Sequence, residues 1–494
     1  MPTTNLNPAI VQAMASVEAA TAHAATDPRR PRFHFRPPAN WMNDPNGTIY
    51  HDGYYHLFYQ HNPYGDDWGH MHWGHGRSRD LVHWEHLPIA LWPSLELGEE
   101  HVFSGCARVN GAGEPMLFYT SVGTGDPRPG GTRLRARRRR NEQWAAVGDA
   151  DWLTWRKHPA NPVLALDTHG GPDFEGEWRD PYIFDADGRT FLVLGGDFGE
   201  TSAVALYEAA DAELTRWTYR KLLYTEPRHR TRFCECPNFI PVGDKWVLLT
   251  SPYRPVEYVV GDFDVASLTF TPQQRGILDP GYNETATANF YATNTVFAPR
   301  PEAGAPWARR VILLGWVRGF APGRGWNGCL AIPRVLTVGP DNRPRQTPVA
   351  ELDTLRGAHQ SAAPVTLSGA AQVVDRLDRS VAEIQATLDP GDAPRCGLRL
   401  HPIDANAAAV DIIYDRQTIL VDGIPAPLAL DPGALLDLRI YLDGAVMEVF
   451  AAQGRVAVTR VVDLPVDGLT VEAVAHGGDA HLTAYDRWEM TSIW

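Results

Sequence analysis

Three carboxylates in this chain stand in settings that ordinary surface acids lack. Asp44 lies in Trp41-Met42-Asn43-Asp44-Pro45-Asn46-Gly47, where Pro45, Asn46 and Gly47 all favour a turn. Trp41 and Asn43 flank it, an aromatic platform and an amide. Asp180 lies in Trp178-Arg179-Asp180-Pro181, with a guanidinium next to it in sequence, and Glu235 lies in Cys234-Glu235-Cys236-Pro237. Glycoside hydrolysis requires a pair of carboxylates across the scissile bond. A third acid that grips sugar hydroxyls is a common addition. Taken singly, each acid reads equally well as a turn cap or a surface ion pair. The case rests on all three occupying equivalent positions in a repeat.

The elements that must position them are short strands. Tyr54–Tyr59, Met116–Tyr119, Phe191–Leu194, Trp246–Leu249 and Val311–Trp316 are β-rich runs, several of them following Gly- or Asp-bearing turns such as His51-Asp52-Gly53. Asp80–Trp84, Asp151–Trp155, Asp211–Trp217 and Asp264–Phe270 each put an acid shortly before an aromatic. A second element opens a strand-turn-strand stretch at Asp44, Ser104, Asp180, Glu235 and Tyr291, starts roughly 55 to 75 residues apart. Five such starts predict five four-stranded blades, a β-propeller; an irregular β-sandwich is the alternative. In a propeller the innermost strands line a channel, so the five starts should converge at one end of it. Residues 1–32 read as a helical extension, 33–338 as the propeller, 339–355 as a Pro- and Gly-containing joint, and 356–494 as a β-sandwich. The strands of that sandwich include Val410–Tyr414, Leu438–Leu442, Val446–Phe450 and Val456–Arg460. The expected fold class is all-β.

Composition narrows the partners. The 494 residues include 16 Trp, 17 Tyr and 17 Phe. Such aromatic richness suits either stacking on sugar rings or a large β core. A net charge of −14 argues against nucleic acid and anionic membranes as partners. The run Arg133–Arg140 is isolated and reads as a solvated hairpin or loop. Five Cys, an odd and sparse set, imply no disulfide framework. No basic and apolar leader precedes the Ala-rich start, so a cytoplasmic location is expected. His70, His72 and His75 suit no common metal site, so neither a metal nor a cofactor is expected. Glu257 and the pair Glu99-Glu100 are expected in solvent. Self-association is one role open to the N-terminal helix.

The motif Trp41–Gly47 resembles the signature of glycoside hydrolase family 32, the invertases, inulinases and levanases. The resemblance continues through Phe58–Pro63, Trp68, Met71–His75, Asp80–Trp84, Phe103–Gly105, Trp178–Pro181, Glu235–Pro237, Phe290–Ala292 and Gly325–Arg334. It extends to Asp443–Phe450 in the second region. It implies a five-bladed propeller joined to a sandwich, and a retaining double displacement. By this resemblance Asp44 is the nucleophile on the anomeric carbon of a terminal β-fructofuranosyl unit, and Glu235 is the acid and then the base. Asp180, with Arg179, holds the fructose hydroxyls and the oxocarbenium-like transition state. Asn43, Gln60, Trp68, Ser104 and Arg179 fall on the fructosyl unit, with Trp41, Phe103, Tyr291 and Trp316 as apolar walls. A retaining mechanism implies about 5–5.5 Å between the two working carboxyls.

Two carboxylates so close do not both ionise readily, and the one with the raised pKa serves as acid. The less polar flanks Cys234 and Cys236 assign that role to Glu235, while amide and backbone donors keep Asp44 ionised. The expected activity is release of fructose from sucrose and short fructo-oligosaccharides. A fructosyltransferase and a non-catalytic fructan-binding propeller are the alternatives. A preference for sucrose 6-phosphate is also open, with Arg228, His229 and Arg230 just ahead of Glu235. Cys234 stands where the family commonly has an aromatic, and Asn289 where it has Asp. These departures bear on the leaving group, not on the fructosyl chemistry.

Overall fold

A computed structural model describes residues 6–123, 141–174, 177–283, 287–299, 309–403 and 408–494. The Arg133–Arg140 run lies outside them. Among the described residues the chain is all-β apart from the helix Pro8–Ala24 and two short 3-10 helices. Asn7 caps the helix, its Oδ1 accepting from the Ala9 N–H at 2.9 Å, and Pro8 takes the first turn, where no N–H is needed. Ile10, Ala13, Val17 and Ala24 face inward, the first two against Ile89 and Trp92, so the helix is packed on the body.

Five antiparallel sheets follow in chain order. Their leading strands are Asn40–His51, Glu99–Val109, Trp178–Ala186, Asn238–Val242 and Phe290–Pro299. Each leading strand packs beside the next, and Phe290–Pro299 returns to Asn40–His51, so the five close a ring. Trp326–Asn327 adds in parallel to Asn40–Trp41 and ties the fifth segment back to the first sheet. Tight turns set the registers. Asp52 and Gly53 have φ of 46° and 79°, Asp187 and Gly188 of 48° and 73°, joining His51 to Tyr54 and Ala186 to Arg189. This is the doubly left-handed hairpin that Asp-Gly favours. The acid-before-aromatic repeat proves to be the turn into an outer strand. Asp80 accepts from the Val82 and His83 N–H groups ahead of Trp84–Leu91, and Asp211 accepts from the Thr215 N–H ahead of Trp217–Pro227. Those acids cap turns and do no chemistry.

Beyond Arg356 two sheets share a core of Ile384, Leu388, Leu398, Leu400, Ile412, Ile440, Val449 and Val471. The segment expected as a joint is not free chain. Pro344–Pro348 pairs with Arg334–Val338 as the outer strand of the fifth sheet, and Ala350–Leu355 forms a 3-10 helix. Glu99 corrects another expectation. It is fully buried, with Oε2 accepting from Lys157 Nζ at 2.8 Å and from the Ser94 N–H at 2.9 Å.

A buried charge network joins the two regions. Asp443 accepts from the Arg32, Phe33 and His34 N–H groups at 2.7, 2.8 and 3.0 Å. Glu448 accepts from the Ile332 N–H at 2.7 Å and pairs with Arg334, which reaches Asp279 at 3.0 Å. With every carboxylate oxygen engaged by donors from the other region, these charges hold one relative placement; breaking such a buried pair costs about 3–5 kcal/mol.

Candidate active site

Four of the five leading strands carry a register irregularity at the same height: Met42 to Pro45, Val102 to Gly105, Arg179 to Tyr182 and Tyr291 to Asn294. A bulge adds a residue and re-aims its side chain. Asp44, Ser104, Asp180 and Ala292 sit in these irregularities. The fourth strand starts just after Glu235-Cys236-Pro237 and presents Glu235 from the loop ahead of it. Asp180, Cys236 and Ala292 have φ of 67°, 47° and 47°. Each such residue outside glycine costs on the order of 1–3 kcal/mol and persists because its surroundings over-determine it.

The bulges bring distant residues into one hydrogen-bonded set. Trp41 Nε1 donates to Asn43 Oδ1 at 2.7 Å; Asn43 Nδ2 donates to Asp44 Oδ1 at 3.0 Å and to Gln60 Oε1 at 2.7 Å. Gln60 Nε2 reaches Ser104 Oγ at 2.9 Å, and Ser104 donates to Asp44 Oδ2. Cys236 Sγ lies 3.5 Å from Asp44 Oδ2 and 3.6 Å from Asp180 Oδ2, a weak donor between two carboxylates. Asp180 Oδ2 accepts from the Cys236 N–H at 3.0 Å, and the Asp180 N–H donates to Thr120 Oγ1 at 2.9 Å. Arg179 pairs with Glu177, donates to Glu235 Oε1 and Tyr253 Oη at 2.6 Å each, and packs on the Phe233 ring. Beneath the acids a small space is lined by Asn46, Ser104, Asp180, Cys236, Asn238 and Thr293 among others.

Tyr291 is more than a wall. Its Oη lies 2.6 Å from Glu235 Oε2 and 2.6 Å from the Ser251 carbonyl, and it accepts the Tyr253 N–H at 2.8 Å. The phenol's one proton is shared between these two acceptors, while its oxygen takes the Tyr253 N–H. Trp41 and Tyr291 meet the Trp316 ring at 5.5 and 6.4 Å between centroids, edge-on. Trp68 and Phe103 form a separate patch with His101, farther out. Trp68 is 46% exposed and its ring packs on His101 and Phe103, at the rim and outside the hydrogen-bonded set.

Enclosure works against the donors around Asp44. Burial pushes the Asp44 carboxyl up, the Glu235 charge adds to this, and hydrogen bonds from Ser104, Asn43 and Cys236 only partly oppose it. The donors do not outweigh enclosure. Burial likewise raises Asp180 to about 7, against the pull of Arg179 and with the push of Glu235 and Asp44. Three acids in one dry pocket hold fewer than three negative charges readily.

Four contributors escaped the sequence: Cys236 as a donor between the acids, Thr120, Tyr253 and Arg318. Arg318 stacks over Tyr291 at 4.1 Å and Trp316 at 5.2 Å. Only its place two residues past Trp316 signalled it. The histidines considered for a metal do other work. His72 Nδ1 meets the His70 carbonyl at 2.5 Å, and His75 stacks on Phe58 and meets His56.

Comparison with known proteins agrees with this geometry. Residues 34–348 match the glycosyl hydrolases family 32 N-terminal domain, and residues 351–489 match the family's C-terminal domain. The chain is 30% identical over 482 residues to a sucrose-6-phosphate hydrolase of Escherichia coli, covering 90% of this chain and 92% of that one. It is 31% identical over 512 residues to a levanase of Bacillus subtilis, covering 94% and 71%. A β-fructofuranosidase structure from Bombyx mori superposes with a TM-score of 0.80 at 26% identity, covering 98% of each chain. With both domains matched end to end around a pocket of three acids, the chain belongs to glycoside hydrolase family 32.

Proposed function

We propose that this enzyme hydrolyses the terminal β-D-fructofuranosyl bond of sucrose and short fructo-oligosaccharides from the exposed end, with retention of configuration. One observation carries the reading. Asp44, from the first segment of the ring, and Glu235, ahead of the fourth, lie close enough that the Glu235 charge raises the Asp44 carboxyl, with Cys236 joining Asp44 to Asp180 and Arg179 holding Glu235. Asp44 Oδ attacks the anomeric carbon as Glu235 protonates the leaving oxygen. Glu235 then takes a proton from water as water displaces Asp44. Asp180 and Arg179 hold the fructosyl hydroxyls, with Asn43, Gln60 and Ser104 orienting Asp44. Trp41, Tyr291 and Trp316 wall the inner pocket; Trp68 and Phe103 form its rim. The five sheets, with leading strands closed in a ring, are read as the blades of a five-bladed propeller.

The test is NMR of the first product from sucrose. Retention gives β-fructofuranose before it mutarotates; α-fructofuranose as the first product would reject the nucleophile assignment. Kestose-type products exceeding free fructose at high sucrose would instead make the enzyme a transferase.

A phosphorylated leaving sugar is a second reading. Arg318 stacks on Tyr291 and Trp316 and has no carboxylate partner among the described residues. A higher kcat/KM on sucrose 6-phosphate than on sucrose, lost in Arg318→Gln, supports it.

A further inference from the structure

The N-terminal helix ends against the turn 323–326. A Cβ on Gly325, whose φ is +74°, would lie 2.6 Å from His23 Cδ2 and 3.1 Å from the Ala24 nitrogen. Just past the helix, Asp27 Oδ2 accepts from Trp326 Nε1 at 3.0 Å and Arg324 Nη1 at 3.5 Å. The same turn is gripped from its other side. The Gly323, Arg324 and Gly325 N–H groups all point at Asp66 Oδ2, at 2.7, 2.9 and 3.0 Å. Successive N–H groups converging on one point make an anion nest, and here a side chain fills it. Asp66 belongs to the loop that carries Trp68. The Gly65 carbonyl of that loop accepts the Trp41 N–H at 2.9 Å, and the Gly325 carbonyl accepts the Asn40 N–H at 2.8 Å.

We propose that Asp66 and Asp27 are positioning residues for the leaving-group side of the pocket. The helical extension props the turn 323–326, the turn holds Asp66, and Asp66 holds the loop that presents Trp68 beside the Trp41 wall. Trp68 is 46% exposed and braced from behind by His101 and Phe103, which leaves a fixed aromatic face for a sugar ring beyond the fructosyl unit. The inference rests on the β-fructofuranosidase reading. Removing the Asp66 carboxylate leaves three N–H groups that water can reach, so the loop loosens while the acids stay in place. The effect therefore belongs in KM for substrates with a second sugar, not in kcat.

The test uses the full chain with Asp66→Ala and Asp27→Asn, on sucrose, 1-kestose and methyl β-fructofuranoside. Asp66→Ala should raise KM for kestose and sucrose about fivefold or more, with kcat, KM for methyl fructoside and inhibition by free fructose all within about twofold. Asp27→Asn should shift KM in the same direction by less. Unchanged KM on kestose in both variants, or an equal loss on methyl fructoside, would overturn the proposal. Should Asp66→Ala fail to fold, Asp66→Asn keeps an acceptor without the charge and is read by the same criteria. A wild type that cleaves none of the three substrates would overturn the proposed function instead, a separate outcome.

Discussion

His34 offers a quantitative test of how the two regions are joined. Its side chain is fully buried, with Nδ1 2.8 Å from Asp443 Oδ2 and Nε2 3.0 Å from Glu448 Oε1. Burial alone would lower its pKa; the hydrogen bonds to Asp443 and Glu448 override that and hold it at about 9, against the usual 6.5. The folded-state value is the raised one. The stabilisation is therefore complete below pH 6.5 and is lost as pH climbs through 9. At ~1.36 kcal/mol per pH unit, that gap is worth about 3 kcal/mol. For 494 residues at ~2.1 cal/mol/K each, it corresponds to about 3 °C in Tm if the chain melts as one unit. His34→Gln removes the charge and keeps a polar group of similar reach. Melting both proteins from about pH 6 to about pH 10 should show the variant less stable in acid, with the gap closing by about 3 °C on the alkaline side. Other groups titrate over that range in both proteins, so the difference between the two is the readout. A gap that stayed constant with pH would refute a charged His34 between the two carboxylates.

Further outcomes follow from the pocket. Asp44→Asn should lower kcat on sucrose about 10⁴-fold or more with an unchanged melting temperature, because the anomeric carbon loses the carboxylate that attacks it; a modest loss would remove Asp44 from the nucleophile's role. Glu235→Gln should lower kcat/KM on sucrose by about 10²–10⁴-fold but largely spare kcat/KM on β-fructofuranosyl fluoride, whose leaving group needs no proton, while kcat on the fluoride falls for want of the base in the second step; equal losses of kcat/KM on both would contradict its role as acid. Because the Asp44 and Asp180 carboxyls are raised and Asp44 must be ionised to attack, kcat/KM should fall with decreasing pH earlier than an ordinary carboxylate would dictate. Asp180→Asn removes a negative neighbour, so the acid limb should move to lower pH; a limb that stays put would show that another group controls it.

Much of this protein is local and therefore legible. Apolar runs between Asp-Gly turns mark strands because side-chain alternation and left-handed turn residues act over a few positions, as His51 to Tyr54 and Ala186 to Arg189 show. The three acids stand out for the same reason, each inside a constrained, aromatic-flanked stretch at the opening of a repeat. What the tertiary structure decided is what surrounds them. Closure of the ring sets Cys236 between Asp44 and Asp180 and gives Tyr291 two acceptors for one proton. It encloses Asp44 enough that burial raises its carboxyl despite its donors. It also docks Asp66 onto a turn more than two hundred residues away in sequence, while packing within the second sheet buries Glu99 on Lys157. The candidate working groups stand out in short-range pattern. Their protonation and the shape of the outer pocket depend on desolvation and on contacts between remote segments, which exist only once the ring is closed.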